Sequence, residues 1–311
     1  MTDKIATTGP GPWATHAALL VVQLAFASNA VEGKLAMMPR HSGGAGLAPE
    51  AIAMARMGFA ALFFQGLALL LRRRRGASAP PAPPLSGRDH LALAGLSVLG
   101  ISLNQTLFLF GLRATTPLSA ALLCVAIPVF AAALAVVLRH EKPTWRVAAG
   151  IGLALLGVVE LTGLSSVDRG AVLVVANSLA YAGYIVLGRS TIRRLGAIEV
   201  IRWIFTWGAL TFAPLGVGPL VRALGVIDAF GVTLLVYIVV VPTIVAYAAN
   251  AWALGRSSAT LVTIYIYLQP LVAGALAFVQ LGQRPQGHVL LAGTLILAGV
   301  TVVATRSAVA R

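Results

Sequence analysis

The stretch IPVFAAALAVVLRHEKP, Ile127 to Pro143, returns late in the chain as QPLVAGALAFVQLGQRP, Gln269 to Pro285. A shift of 142 residues carries Pro128 onto Pro270, Leu134 onto Leu276, Glu141 onto Gln283, Lys142 onto Arg284, Pro143 onto Pro285 and Gly157 onto Gly299. A second echo, at a shift of 155, lays VVQLAFASNAVEGK, Val21 to Lys34, on ANSLAYAGYIVLGR, Ala176 to Arg189. The chain is written as two related halves.

Composition says what those halves are. Of 311 residues, 59% are hydrophobic and 10% charged, where a soluble domain carries about 25% charge; the mean hydropathy is +0.90. Apolar runs long enough to cross a hydrocarbon core of about 30 Å follow one another along the chain. The reading is an all-α membrane protein with about ten transmembrane helices, at 13–37, 48–71, 89–111, 115–138, 144–163, 167–188, 198–216, 228–252, 257–281 and 286–305. The halves are then 13–163 and 167–305, with five spans each. Five is odd, so the second half enters the membrane from the opposite side, and the two form an inverted repeat. Many secondary transporters open to either side of the membrane by exchanging the conformations of two such halves around a site at the midplane.

The formal charge of +14 is mostly an orientation signal. With the N-terminus in the cytoplasm, 15 of the 23 Lys and Arg residues fall on the cytoplasmic side, including Arg72 to Arg75, as the positive-inside rule requires. Both termini are expected there, and a nucleic-acid partner is not. The Pro- and Ala-rich segment from Arg72 to Asp89 reads as a loop. The first span lacks a basic n-region beyond Lys4 and runs past the length of a signal-peptide core, so it is expected to be retained. The single cysteine, Cys124, excludes an internal disulfide.

Other chemistries find little support. No phosphate-binding G-x-x-x-x-G-K-[ST] loop occurs, and the five histidines lie near span ends or in loops, away from any mid-membrane relay, metal cluster or catalytic pair. The expectation is no enzyme, no cofactor and no metal. The partners are a small-molecule substrate and the lipid bilayer, with the chain acting as a monomer or homodimer.

Three stretches resemble the drug/metabolite transporter superfamily, in particular its ten-helix EamA-type members. FASNAVEGK, Phe26 to Lys34, is similar to the family's first-helix WGSNFVAIK, with Phe26 and Ala27 in place of Trp and Gly. Arg56 stands where the family commonly has an arginine. AIPVFAAALAVVLRHEKPTWRVAAGIGLALLGVV, residues 126–159, resembles the proline, helix-end Glu and Gly-rich next helix of spans four and five. The second copy departs by carrying Gln283 at the acid position. The resemblance implies a bacterial inner-membrane exporter without specifying its substrate, and amino acids or related small metabolites are the expected cargo. Drugs, nucleotides or sugar phosphates, and a non-transporting scaffold or sensor, are the alternatives.

Polar groups inside spans are costly in lipid and usually face the bundle or a pathway. The candidate substrate-binding residues are therefore Asn29, Arg56, Asn104, Gln105, Asn177, Tyr181, Tyr184, Tyr247, Asn250, Tyr265 and Gln269. The same groups equally suit interhelical hydrogen bonds or interfacial anchoring. Glu32 and Arg56 lie roughly 7–12 Å below the outer ends of their spans at 1.5 Å per residue. Two readings stand: a structural ion pair, or a proton-coupling Glu32 beside a carboxylate-binding or gating Arg56. Pro128, Pro242 and Pro270 interrupt backbone hydrogen bonding within spans and are candidate hinges, with helix packing as the alternative. Gly150, Gly152, Gly157, Gly293 and Gly299 read as small residues at close helix contacts.

Overall fold

The computed structural model describes residues 12–74, 85–138, 145–162, 168–257, 261–262 and 265–309. Residues 75–84 of the expected loop, and 139–144 with the repeat-matched Glu141, Lys142 and Pro143, lie outside the described residues, as do 163 and 167 at the expected repeat boundary.

Among the described residues ten apolar helices follow in order: α1 (Pro12–Met37), α2 (Pro49–Arg74), α3 (Gly87–Ala114), α4 (Pro117–Val137), α5 (Trp145–Thr162), α6 (Arg169–Leu195), α7 (Ala197–Leu224), α8 (Ala229–Arg256), α9 (Tyr265–Leu281) and α10 (Gly287–Val309). Seven are long and apolar enough to cross a bilayer outright, whereas α5, α9 and α10 carry shorter apolar stretches. Helix is the form a lipid-embedded chain takes because it satisfies every backbone group internally. Large apolar side chains such as Leu62, Leu271 and Val279 stay more than 70% exposed, a surface that suits acyl chains and not water. The seventh helix runs to Leu224, past the expected end at 216, because Pro214 and Pro219 are accommodated within it.

The helix starts keep the repeat register. Ser86 caps α3 by accepting from Asp89 N, in a reciprocal capping box, and Asp228, 142 residues on, caps α8 by accepting from Gly231 N at 2.8 Å. Both helices then widen into a π turn at matched positions, Val98–Ser102 and Val240–Val245. The next helix of each half carries an irregular turn at a matched position: α4 breaks at Val125 and Ala126, and α9 opens with a 3-10 turn, Tyr265–Tyr267. Pro128 and Pro270 sit in the first turn after these breaks, where a missing N–H costs nothing, and Pro242 lies within the second π turn.

The seam between α5 and α10 fixes how the halves are related. A Cβ at Gly157 would stand 2.7 Å from Ala292 O and 2.7 Å from Ile296; one at Gly299 would stand 2.5 Å from Gly150 O and 2.6 Å from Ala154 N. Subtracting 142 turns Ala292, Ile296 and Gly299 into Gly150, Ala154 and Gly157, so both are the same contact seen from either half. As the position rises along α5 it falls along α10, which makes the crossing antiparallel. A two-fold axis that exchanges antiparallel helices lies perpendicular to them, in the plane of the membrane. The other contacts agree: α2 packs on its own mate α7, α3 on α6 as α8 on α1, and α4 on α6 as α9 on α1. Gly152, expected at a close contact, instead has open space around it.

Candidate functional site

The π turns and helix breaks surround a central cavity with a free volume of about 70 Å³. Seven helices line it: Phe26 and Asn29 from α1, Arg56 from α2, Asn104, Gln105 and Phe108 from α3, Cys124 and Ile127 from α4, Asn177 and Tyr181 from α6, Tyr247 from α8 and Gln269 from α9. Widened turns of this kind recur at functional sites because they release a carbonyl from the helix ladder or re-aim a side chain. Here Gly100 O, in the first π turn, accepts from Tyr247 Oη at 3.2 Å, and Thr243 Oγ1, in the second, accepts from Arg56 Nε at 2.8 Å while donating to Ile238 O at 2.7 Å.

Much of the wall is hydrogen-bonded across helices. Asn104 and Asn177 exchange bonds with each other's carbonyls, at 3.3 and 2.9 Å, tying α3 to α6. Gln269 Nε2 donates to Gln23 Oε1 at 2.6 Å, tying α9 to α1. Asn250 Nδ2 donates to Tyr181 Oη at 3.0 Å from outside the cavity. Phe26 stands edge-on to both Tyr181 and Tyr247, with ring centroids 6.4 and 5.6 Å apart. Three polar groups are different. Among the described residues, Asn29 Oδ1 and both ends of the Gln105 amide are buried without a hydrogen bond, and Arg56, 3% exposed, bonds through Nε alone. None of the described lining residues is acidic.

Of the eleven residues proposed from sequence, Asn29, Arg56, Asn104, Gln105, Asn177, Tyr181, Tyr247 and Gln269 line this space. Tyr184 is behind Tyr181, packed where a Cβ on Gly100 would stand 2.6 Å from its ring. Asn250 supports Tyr181, and Tyr265 hydrogen-bonds His16 Nδ1 at 2.5 Å near the start of α1. Glu32 and Arg56 are not paired: Glu32 Oε1 accepts from Gln280 Nε2 at 3.1 Å on a solvent-accessible face, while Arg56 points to Thr243. Phe26, Phe108, Cys124 and Ile127 were not singled out from sequence, since apolar residues in an apolar helix carry no signal. The repeat register does carry one. Phe26 matches Tyr181 at a shift of 155, and Ile127 matches Gln269 at 142.

A wider vestibule of about 600 Å³ opens where α1, α5 and α9 end and α6 and α10 begin, lined by Lys34, Thr115, Glu160, Asp168, Arg284 and His288 among others. Lys34 Nζ donates to the carbonyls of Leu112, Arg113 and Thr115 at 3.0, 2.9 and 2.7 Å, closing the C-terminus of α3, the end of the helix dipole that favours a cation. At the opposite end of the molecule its repeat mate Arg189 donates to Ser257 O at 3.3 Å, at the C-terminus of α8. Ser257 is the repeat mate of Thr115.

The EamA-like transporter family matches the chain twice, over residues 15–163 and 168–305. The chain belongs to that family. Two matches in succession are what the reciprocal seam leads one to expect of an EamA-like protein built from two copies of one unit. This EamA-like chain is 26% identical over 234 residues to an uncharacterized transporter of Archaeoglobus fulgidus, covering 73% of this chain and 78% of that one. It is 28% identical over 224 residues to a probable terminal-alkyne amino-acid exporter of Streptantibioticus cattleyicolor, covering 71% and 75%. A solved crystal structure shares its fold with a TM-score of 0.60 at 18% identity, over 94% of this chain and 97% of the other. The protein is a multi-pass membrane transporter.

Proposed function

We propose that this transporter exports amino acids or related small metabolites across a bacterial inner membrane by alternating access, with both termini cytoplasmic. The observation that carries the reading is the central cavity, whose walls come from both inverted halves and hold a buried guanidinium with most of its donors free. Exchanging the conformations of the halves moves such a site from one side to the other. With this topology α1 runs outward, so the Lys34 vestibule is the outer mouth and the Arg189 contact lies at the inner one. The likeness to an amino-acid exporter supports the cargo class. A sugar phosphate or nucleotide would carry about two negative charges, and Arg56 is the one cation among the described residues of the cavity wall. Pro128, Pro242 and Pro270 are the proposed hinges, each at an irregular turn of a cavity-lining helix. An inward proton gradient would couple through Glu32, nearly one turn beyond Asn29 on α1.

The test is efflux from proteoliposomes loaded with an amino-acid and metabolite mixture, with and without an inward proton gradient. Selective efflux accelerated by the gradient is the expected result. The absence of selective flux for every compound in the mixture contradicts the reading.

A further inference from the structure

The charges around the cavity are unbalanced in a way that bears on its cargo. Arg56 brings one positive charge, its Nε is taken by Thr243, and its remaining N–H groups have no hydrogen-bond partner among the described residues. Among the described residues, no Asp or Glu lines the space. A buried charge without a partner costs several kcal/mol of desolvation, and a carboxylate relieves that cost best, because its two oxygens match the guanidinium fork. The opposite end of an amino acid has no such partner. An ammonium would find Asn29 Oδ1 and Gln105 Oε1, both neutral acceptors now unused, and a hydroxyl can donate to either of them as well.

We infer that the cavity selects small apolar monocarboxylates by their carboxylate, anchored on Arg56, and does not require an α-amino group. This rests on the transporter reading above and narrows it. A zwitterion carries no net charge into the cavity and leaves the charge of Arg56 uncompensated, whereas a monocarboxylate anion cancels it. The side chain of the cargo packs against Phe26, Phe108 and Ile127, which offer no polar group. A 2-hydroxy acid is therefore as good a cargo as the amino acid of the same skeleton, and the decarboxylated amine is none.

Three compounds with one branched skeleton separate these features: L-valine, 2-hydroxy-3-methylbutanoate and 2-methylpropan-1-amine. Efflux of each is measured at pH 7.5 from proteoliposomes, with protein-free liposomes subtracted, and thermal stabilisation of the detergent-solubilised full chain is read in parallel. The expected result is that valine and the hydroxy acid leave at rates within about threefold of each other and both stabilise the protein, while the amine does neither. Arg56→Gln should lower both carboxylate fluxes by about tenfold or more, the scale of one lost charge-assisted hydrogen bond. Arg56→Lys, which keeps the charge but loses the fork, should retain part of the flux and serves if the Gln variant does not fold. Valine flux without hydroxy-acid flux would overturn the inference and leave amino-acid export standing, and so would amine flux equal to that of valine. If no compound moves, amino-acid export falls, and stabilisation by the hydroxy acid then decides the carboxylate site alone: its absence, or its persistence in the Arg56 variants, overturns the inference.

Discussion

The α5–α10 seam and the central cavity are both built from repeat-equivalent positions, and they treat the symmetry in opposite ways. At the seam, chemistry repeats along with position: Gly157 and Gly299 each press backbone to backbone against the matched turn of the other half. Around the cavity, positions repeat but residues do not. Phe26 faces its mate Tyr181, Gln105 lies near its mate Tyr247, and Ile127 and Gln269 occupy matched places on the wall. A contact between a helix and its own mate must be self-complementary, as at any two-fold interface. A binding site for a small molecule that lacks two-fold symmetry gains nothing from being symmetric.

Crowding the seam should have the largest effect. Gly157→Leu and Gly299→Leu should each abolish recovery of monodisperse protein by fluorescence-detected gel filtration, and to the same degree. Overpacking a core costs about 1–3 kcal/mol when side chains can shift, and here the obstacle is backbone. Gly152→Leu, in open space, should leave recovery unchanged. Unequal outcomes at Gly157 and Gly299 would mean that the seam is not symmetric in energy.

Exchanging mates in the cavity should do the reverse. The double variant Ile127→Gln with Gln269→Ile preserves composition and volume, so protein recovery should hold. Efflux of the preferred cargo should fall by about tenfold, since one amide moves across the site and its bond to Gln23 is lost. Unaltered efflux would show that the asymmetry of the wall is incidental.

The two mouths offer a finer test. Among the described residues, Lys34 makes three bonds to the end of α3, and Arg189 makes one, longer, to the end of α8. Lys34→Met should cost about 2 kcal/mol, within the range for hydrogen bonds to a charged group, and Arg189→Met under about 1 kcal/mol, as for a single long, partly solvated contact. Thermal unfolding in detergent measures both, and a larger loss at Arg189 would reverse the ranking. The smallest effect on basal efflux is expected from Glu32→Gln, which should remove only the acceleration by an inward proton gradient. A gradient response that survives the change would assign coupling to another residue.

The halves and their spans were legible because the echo rests on Pro128 and Pro270, on Gly157 and Gly299, and on apolar runs too long for a soluble fold. The π turns were not. One extra residue per turn alters the hydrogen-bond ladder without altering composition, and it is these turns that put Thr243 on Arg56 and Gly100 O on Tyr247. Polarity within spans brought out eight of the residues on the cavity wall. It also brought out Tyr184, Asn250 and Tyr265, because a polar side chain that braces a neighbour reads the same in sequence as one that faces the cavity.

Cys124 gives the most direct test of alternating access, since it is the one cysteine of the chain and lies on the cavity wall. Wild-type protein in right-side-out and in inside-out vesicles is treated with a membrane-impermeant thiol reagent, with and without cargo. Alternating access requires that Cys124 react from both sides and that cargo slow both reactions. Reaction from one side only, with the other silent under every cargo and gradient condition, would contradict it.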